Sequence, residues 1–128
     1  MKLKMNNRSK DFYTYLGPIF GSRDVEAETK DRFYDDDNKE WILHISHGCV
    51  DTAVSINDEG VIRNVYIRNA AAGYEILSEL FPEAAPSVVP IKYAEIYEKC
   101  GYTVRDRSVN FVKIFGGASY ESKNGRSA

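Results

Sequence analysis

Hydrophobic positions along the chain change period twice, and the changes divide it into elements. Phe12, Tyr15, Leu16, Ile19 and Phe20 recur at helical spacing, with Gly17-Pro18 marking a kink or break. Ser22 suits an N-cap, and a second helix is expected through Val25, Ala27 and Thr29 towards Phe33. From Trp41 the pattern alternates. Trp41 to Ser46, Cys49 to Ile56 and Val61 to Ile67 read as three strands joined at His47-Gly48 and at Asn57-Asp58-Glu59-Gly60, an antiparallel meander. A small-residue segment follows, then a helix from Tyr74 to Phe81, interrupted by Pro82 and Pro86. Ser87 to Val89 is a short extended piece. A helix from Ile91 to Lys99 is expected to end at Gly101 in a left-handed cap. Tyr102 to Arg105 and Asn110 to Phe115 form a closing hairpin. No clear first strand precedes the helices, although Met1 to Asn7 can supply one. The order predicts an α/β (α+β) domain built on one mixed sheet.

Composition narrows the class. The 128 residues suit one domain, taken as 1–116, and the small, polar residues 117–128 read as a flexible tail. Seventeen Lys+Arg against nineteen Asp+Glu leave a net charge of −2, so no basic excess favours a nucleic-acid backbone. No apolar run reaches the ~20 residues of a membrane span, and the N-terminus lacks the apolar stretch of a signal peptide. Cys49 and Cys100 form neither a metal spacing nor a disulfide framework, and a reducing, cytoplasmic setting is the default expectation. The run Asp35-Asp36-Asp37-Asn38 lacks the alternating ligands of a calcium loop and reads as a solvated turn. His44 and His47, three apart on a strand, would face opposite ways, which argues against a two-histidine metal site.

The segment from Val65 to Leu77 carries the chemistry. A strand ends, small residues turn the chain and a helix begins, an arrangement whose free N–H groups and helix dipole suit a phosphate. It is neither a P-loop nor a dinucleotide fingerprint. By itself, Ala70 to Gly73 reads more readily as close packing than as a ligand cradle.

Set in the order of elements, two phrases resemble the GCN5-related N-acetyltransferase (GNAT) superfamily. Arg68-x-x-Ala71-x-Gly73 is similar to its pyrophosphate-binding pattern, with Ala71 where the family has its first glycine. Ile96-Tyr97-Glu98-Lys99-Cys100-Gly101-Tyr102 looks like the family's helix-end phrase leading into a hairpin. Val65-Tyr66-Ile67 resembles the end of its fourth strand, and Trp41 to Val54 its central hairpin. The resemblance implies a central mixed, mostly antiparallel twisted sheet flanked by helices. It implies acetyl-CoA as co-substrate, with backbone groups of Val65, Tyr66 and Ile67 on the pantetheine arm. The pyrophosphate would lie on Arg68 and the amides of Asn69, Ala70, Ala71, Ala72, Gly73 and Tyr74. Tyr97 would be the general acid for the departing thiolate. Glu59, His44 and Asp51 are open candidates for the base.

The implied activity is transfer of an acetyl group to a primary amine of a small molecule or a protein, by direct attack on the thioester. The alternative is a GNAT-like domain without catalysis, acting as a protein-binding or phage assembly component. A homodimer or another protein partner is compatible with either. Metal and membrane partners are not expected.

Overall fold

The computed structural model describes residues 1–33 and 38–118. The aspartates at 35–37, and the tail apart from its first two residues, lie outside them. Four antiparallel strands form the first sheet: β1 (Lys2–Met5), β2 (Lys39–Ser46), β3 (Cys49–Asn57) and β4 (Ile62–Ile67), in that spatial order. Met1 to Asn7 thus does supply the first strand, with Leu3 opposite Leu43 and Met5 opposite Trp41. A second sheet holds β5 (Ser87–Pro90), β7 (Phe111–Phe115) and β6 (Thr103–Arg105), with β7 in the middle. Gly48 and Gly60 take positive φ in the two turns of the meander, as their backbone path requires.

Alternation along the strands sets the layers. Ile42, Val54, Val65 and Ile67 project to one side, where they pack with Ile76, Leu77, Tyr97, Val112 and Ile114. Trp41, Leu43, Ala53 and Tyr66 project to the other, against Phe12, Leu16, Ile19, Val25 and Phe33. Helices α1 (Phe12–Leu16) and α2 (Arg23–Thr29) therefore cover one face. Helices α3 (Ala70–Leu80) and α4 (Ala94–Lys99) lie on the other.

Four boundaries differ from the sequence reading. α1 closes after one turn and a half at Gly17, before Pro18. α2 starts at the expected cap, Ser22 Oγ accepting the Val25 N–H at 3.3 Å, but stops at Thr29 because Lys30 turns left-handed at φ 61°. α3 begins at Ala70 rather than Tyr74. Asn69 caps it, its Oδ1 accepting the Ala72 N–H at 3.1 Å, and the alanines that resembled a turn are strong helix formers. The expected helix from Ile91 is a 3₁₀ turn, Ile91–Tyr93, leading into α4.

Candidate active site

The two sheets meet at β4 and β5, and they meet only at one end. The Ala85 N–H reaches the Gly60 carbonyl at 2.7 Å, and the Ile62 N–H reaches Ser87 Oγ at 2.8 Å. Residue numbers rise together across these links, so the strands run in the same sense. No ladder joins them further along. Towards Ile67 and Pro90 the two strands carry no ladder between them, an unpaired stretch, here called the splay, whose far end lies beside the start of α3.

Register decides which main-chain groups face that opening. The Arg68 N–H donates to the Asp51 carbonyl at 2.8 Å, so Arg68 and, by alternation, Tyr66 turn their backbone groups to β3. Val65 and Ile67 turn theirs away from β3, towards β5. Of the three residues read as pantetheine contacts, two therefore present main-chain groups to the splay. Tyr66 instead puts its ring into the opposite core layer, with the Arg68 guanidinium 5.8 Å from the ring centroid.

At the start of α3 the amides divide as well. Ala72 donates to the Asn69 cap, and Gly73 donates to the Asn69 carbonyl at 2.9 Å. The first-turn amides of Ala70 and Ala71 have no partner within the helix, and Ala71 is exposed. Gly73 is buried rather than open to a ligand. A Cβ there would lie 2.8 Å from Cδ1 and Cγ2 of Ile67, so the glycine is fixed by contact between helix and strand. Tyr74 points outward, 48% exposed. Beside the cap, Asp51 receives His44 Nδ1 at 2.8 Å and Asn69 Nδ2 at 3.4 Å. The structure thus brings two candidate bases together, but against the α3 cap. Glu59 stays in the β3–β4 turn at the closed end of the splay.

Tyr97 is fully buried and donates to the Pro90 carbonyl at 3.0 Å, where β5 ends. Burial raises its pKa well above the usual phenol value, with Tyr93, Tyr102 and Asp31 adding smaller contributions in the same direction. Its proton is held through the physiological range.

Sequence reasoning missed the group at the mouth of the splay. Glu28, on the inner side of α2, lies 3.6 Å from Arg68 Nη2 and 3.7 Å from Lys92 Nζ. The Tyr93 hydroxyl donates to Glu28 Oε2 at 3.3 Å and accepts from the Ile67 N–H. Burial is the main cause of the raised pKa of Tyr93. One carboxylate thereby links the end of β4, through Arg68, with the residues that follow β5. Nothing in the spacing around Glu28 marks it, because its partners are 40 to 65 residues away. Among the described residues no cluster of three His, Cys, Asp or Glu side chains is placed to hold a metal. Both cysteines are free thiols, and no helix there is long and apolar enough to cross a membrane.

Two antiparallel sheets abutting at adjacent, same-sense strands, with a capped helix after the first of them, agree with the fold that the resemblance to the GCN5-related N-acetyltransferases implies. Solved structures agree. Escherichia coli ElaA superposes with a TM-score of 0.58 at 13% identity, over 89% of this chain and 97% of that one. The Campylobacter jejuni N-acetyltransferase PseH, in complex with acetyl coenzyme A, superposes at 0.51 and 12% identity, over 90% of this chain and 97% of that one. No protein-family model and no curated protein sequence matches the chain.

Proposed function

We propose that this protein is an acetyl-CoA-dependent N-acetyltransferase acting on a primary amine. The observation that carries the reading is the splay, with unladdered main-chain groups of Val65 and Ile67 on one wall and the α3 amides at its open end. The similar fold of PseH, described with acetyl coenzyme A, supports it.

The residues present fit the co-substrate with a narrower set of contacts than the sequence reading implies. Val65 and the Ile67 carbonyl would hold the amide-bearing arm, since the Ile67 N–H already meets the Tyr93 hydroxyl. Ala70, Ala71 and the half-exposed Arg68 would hold the pyrophosphate. Gly73 serves packing, and Asn69 already uses its side chain on the helix. Bound there, acetyl-CoA would supply the acetyl group as a thioester.

The chain's own contribution is mainly placement, since holding an amine beside an acyl donor can remove about 7–11 kcal/mol of barrier. The ammonium gives up one proton to become a nucleophile and a second as the C–N bond forms and the C–S bond breaks; the sulfur gains one proton, and the other passes to solvent. Glu28 is the carboxylate at the mouth and is placed to bind the incoming ammonium and take its proton. Tyr97 keeps its proton and remains the candidate donor to sulfur, a role in which its hydroxyl would leave the Pro90 carbonyl it now donates to.

Ala71→Glu tests this reading at its weakest point. A glutamate in the first turn of α3 favours the helix dipole, so the fold should be as stable or slightly more so. The same charge opposes a pyrophosphate, and acetyl-CoA affinity should fall by about tenfold or more. Unchanged affinity would remove the α3 amides from the site. No binding by the unmodified protein would favour the alternative, a protein-binding domain of the same fold.

A further inference from the structure

The carboxylate at the mouth of the splay is already occupied. Glu28 Oε1 meets both Arg68 Nη2, at 3.6 Å, and Lys92 Nζ, at 3.7 Å, while Oε2 accepts from the Tyr93 hydroxyl at 3.3 Å. The two oxygens therefore serve differently. Tyr93, 4% exposed and fixed on its other side by the Ile67 N–H, holds Oε2 in place. Oε1 is the oxygen left for an ammonium, and it carries two cations of the chain's own. Both contacts exceed the about 2.7–2.9 Å of a good charge-assisted hydrogen bond. They are loose ion pairs, readily exchanged.

The three charged side chains are not equally sheltered. Those of Arg68 and Lys92 are 58% and 52% exposed, whereas that of Glu28 is 18% exposed. A ligand approaching from solvent meets the cations first and the carboxylate beneath them. Because both charged ends rest on one oxygen, a single diphosphate can span them, with two charges where Glu28 offers one. Arg68 directly follows β4 and Lys92 follows β5 by two residues. The pair thus reaches the mouth from both strands of the splay.

We propose that Glu28 stands in for the donor's pyrophosphate until acetyl-CoA binds. Lys92 then joins Arg68 on the pyrophosphate, and Oε1, still aimed by Tyr93, is released to take the acceptor's ammonium. The proposal rests on the acetyl-transfer reading and deepens it, assigning Lys92 to the donor and making the base available only once the donor is bound. No covalent bond changes in this exchange, since two ion pairs are traded for two others. Acetyl-CoA and the amine accordingly strengthen each other's binding by the same factor, as linkage demands.

The test is calorimetry of the full chain with acetyl-CoA and with S-acetylpantetheine, which keeps the arm and the acetyl group but carries no phosphate. Glu28→Gln retains an oxygen for the Tyr93 hydroxyl and removes the competing charge. It should tighten acetyl-CoA binding by about three- to tenfold, the worth of two partly exposed ion pairs no longer broken. S-acetylpantetheine should gain nothing. Lys92→Met, at an exposed side chain, should fold normally and weaken acetyl-CoA binding about fivefold or more. In the unaltered protein, acetyl-CoA should shift the Glu28 carboxyl carbon and the Arg68 side-chain nitrogens together. Acetyl-CoA bound no more tightly by Glu28→Gln would overturn the proposal and leave acetyl transfer standing, as would full affinity in Lys92→Met. Equal tightening of S-acetylpantetheine would overturn it too, because the gain would then not come from phosphate. No acetyl-CoA binding by the protein or by either variant would refute the acetyl-transfer reading itself, and the proposal with it.

Discussion

Tyr97 is the residue whose sequence reading and structural setting pull hardest against each other. Its place in the helix-end phrase resembles that of a general acid, yet its hydroxyl is buried and hydrogen-bonded to Pro90. Tyr97→Phe separates the two roles. Loss of the hydrogen bond alone should cost about 1–2 kcal/mol in a denaturant titration. If the phenol donates to the thiolate, turnover should also fall ~10²–10⁴-fold while acetyl-CoA affinity holds. Full turnover in a slightly destabilised protein would make Tyr97 structural.

Asp31 gives a second residue-scale expectation. Burial raises its carboxyl above the ordinary value, although Asn64 Nδ2 donates to it at 3.0 Å. A carboxyl whose folded pKa is raised costs stability above that pKa, and the cost fades as pH falls through the unfolded value. Asp31→Asn keeps an acceptor for Asn64 and should stabilise the fold at neutral pH, with the gain shrinking in acid. Melting temperatures of the two proteins across that range check the sign. Neither Asp31 nor Glu28 could be found from the sequence. Each acquires its character from partners that only the fold brings near.

At the scale of elements, α3 shows why the site was legible in outline and misjudged in detail. A strand, small residues and a helix were readable in order, because side-chain periods survive in one dimension. The helix start was not, because alanine serves a turn and a helix equally well and only the Asn69 cap decides between them. Gly73 looked like a ligand-facing glycine and proves to be a contact with Ile67. Gly73→Ala should therefore destabilise the protein by about 1–3 kcal/mol through overpacking. Ile67→Val, which removes Cδ1, should recover part of that loss, and a double-mutant cycle by chemical unfolding measures the coupling. Equal and additive losses would show that the helix simply shifts outward. The three strands of the meander fell within two residues of their expected limits. There alternation holds except at two bulges, between His44 and Ile45 and between Ser55 and Ile56, and Gly48 and Gly60 fix the two turns.

For the whole molecule, the order of elements was readable but the break in the sheet was not. One mixed sheet was expected, and two sheets form, because β4 and β5 are linked only near Gly60 and Ser87. Pairing between distant strands leaves no local mark, so a gap in pairing leaves none either. That gap is the feature on which the proposed function depends. Glu28, Arg68, Lys92 and Tyr93 meet just beyond the ends of these two unladdered strands.

The most direct measurement is a titration of the protein with acetyl-CoA, read by amide shifts and by calorimetry. One-to-one binding tighter than millimolar is expected. Its shifts should gather on Val65, Ile67, Ala70, Ala71 and the segment after β5, and spare the closed end at Asn57–Gly60. Shifts spread elsewhere, or no binding at millimolar acetyl-CoA, would contradict a co-substrate site in the splay and leave the fold without the chemistry assigned to it.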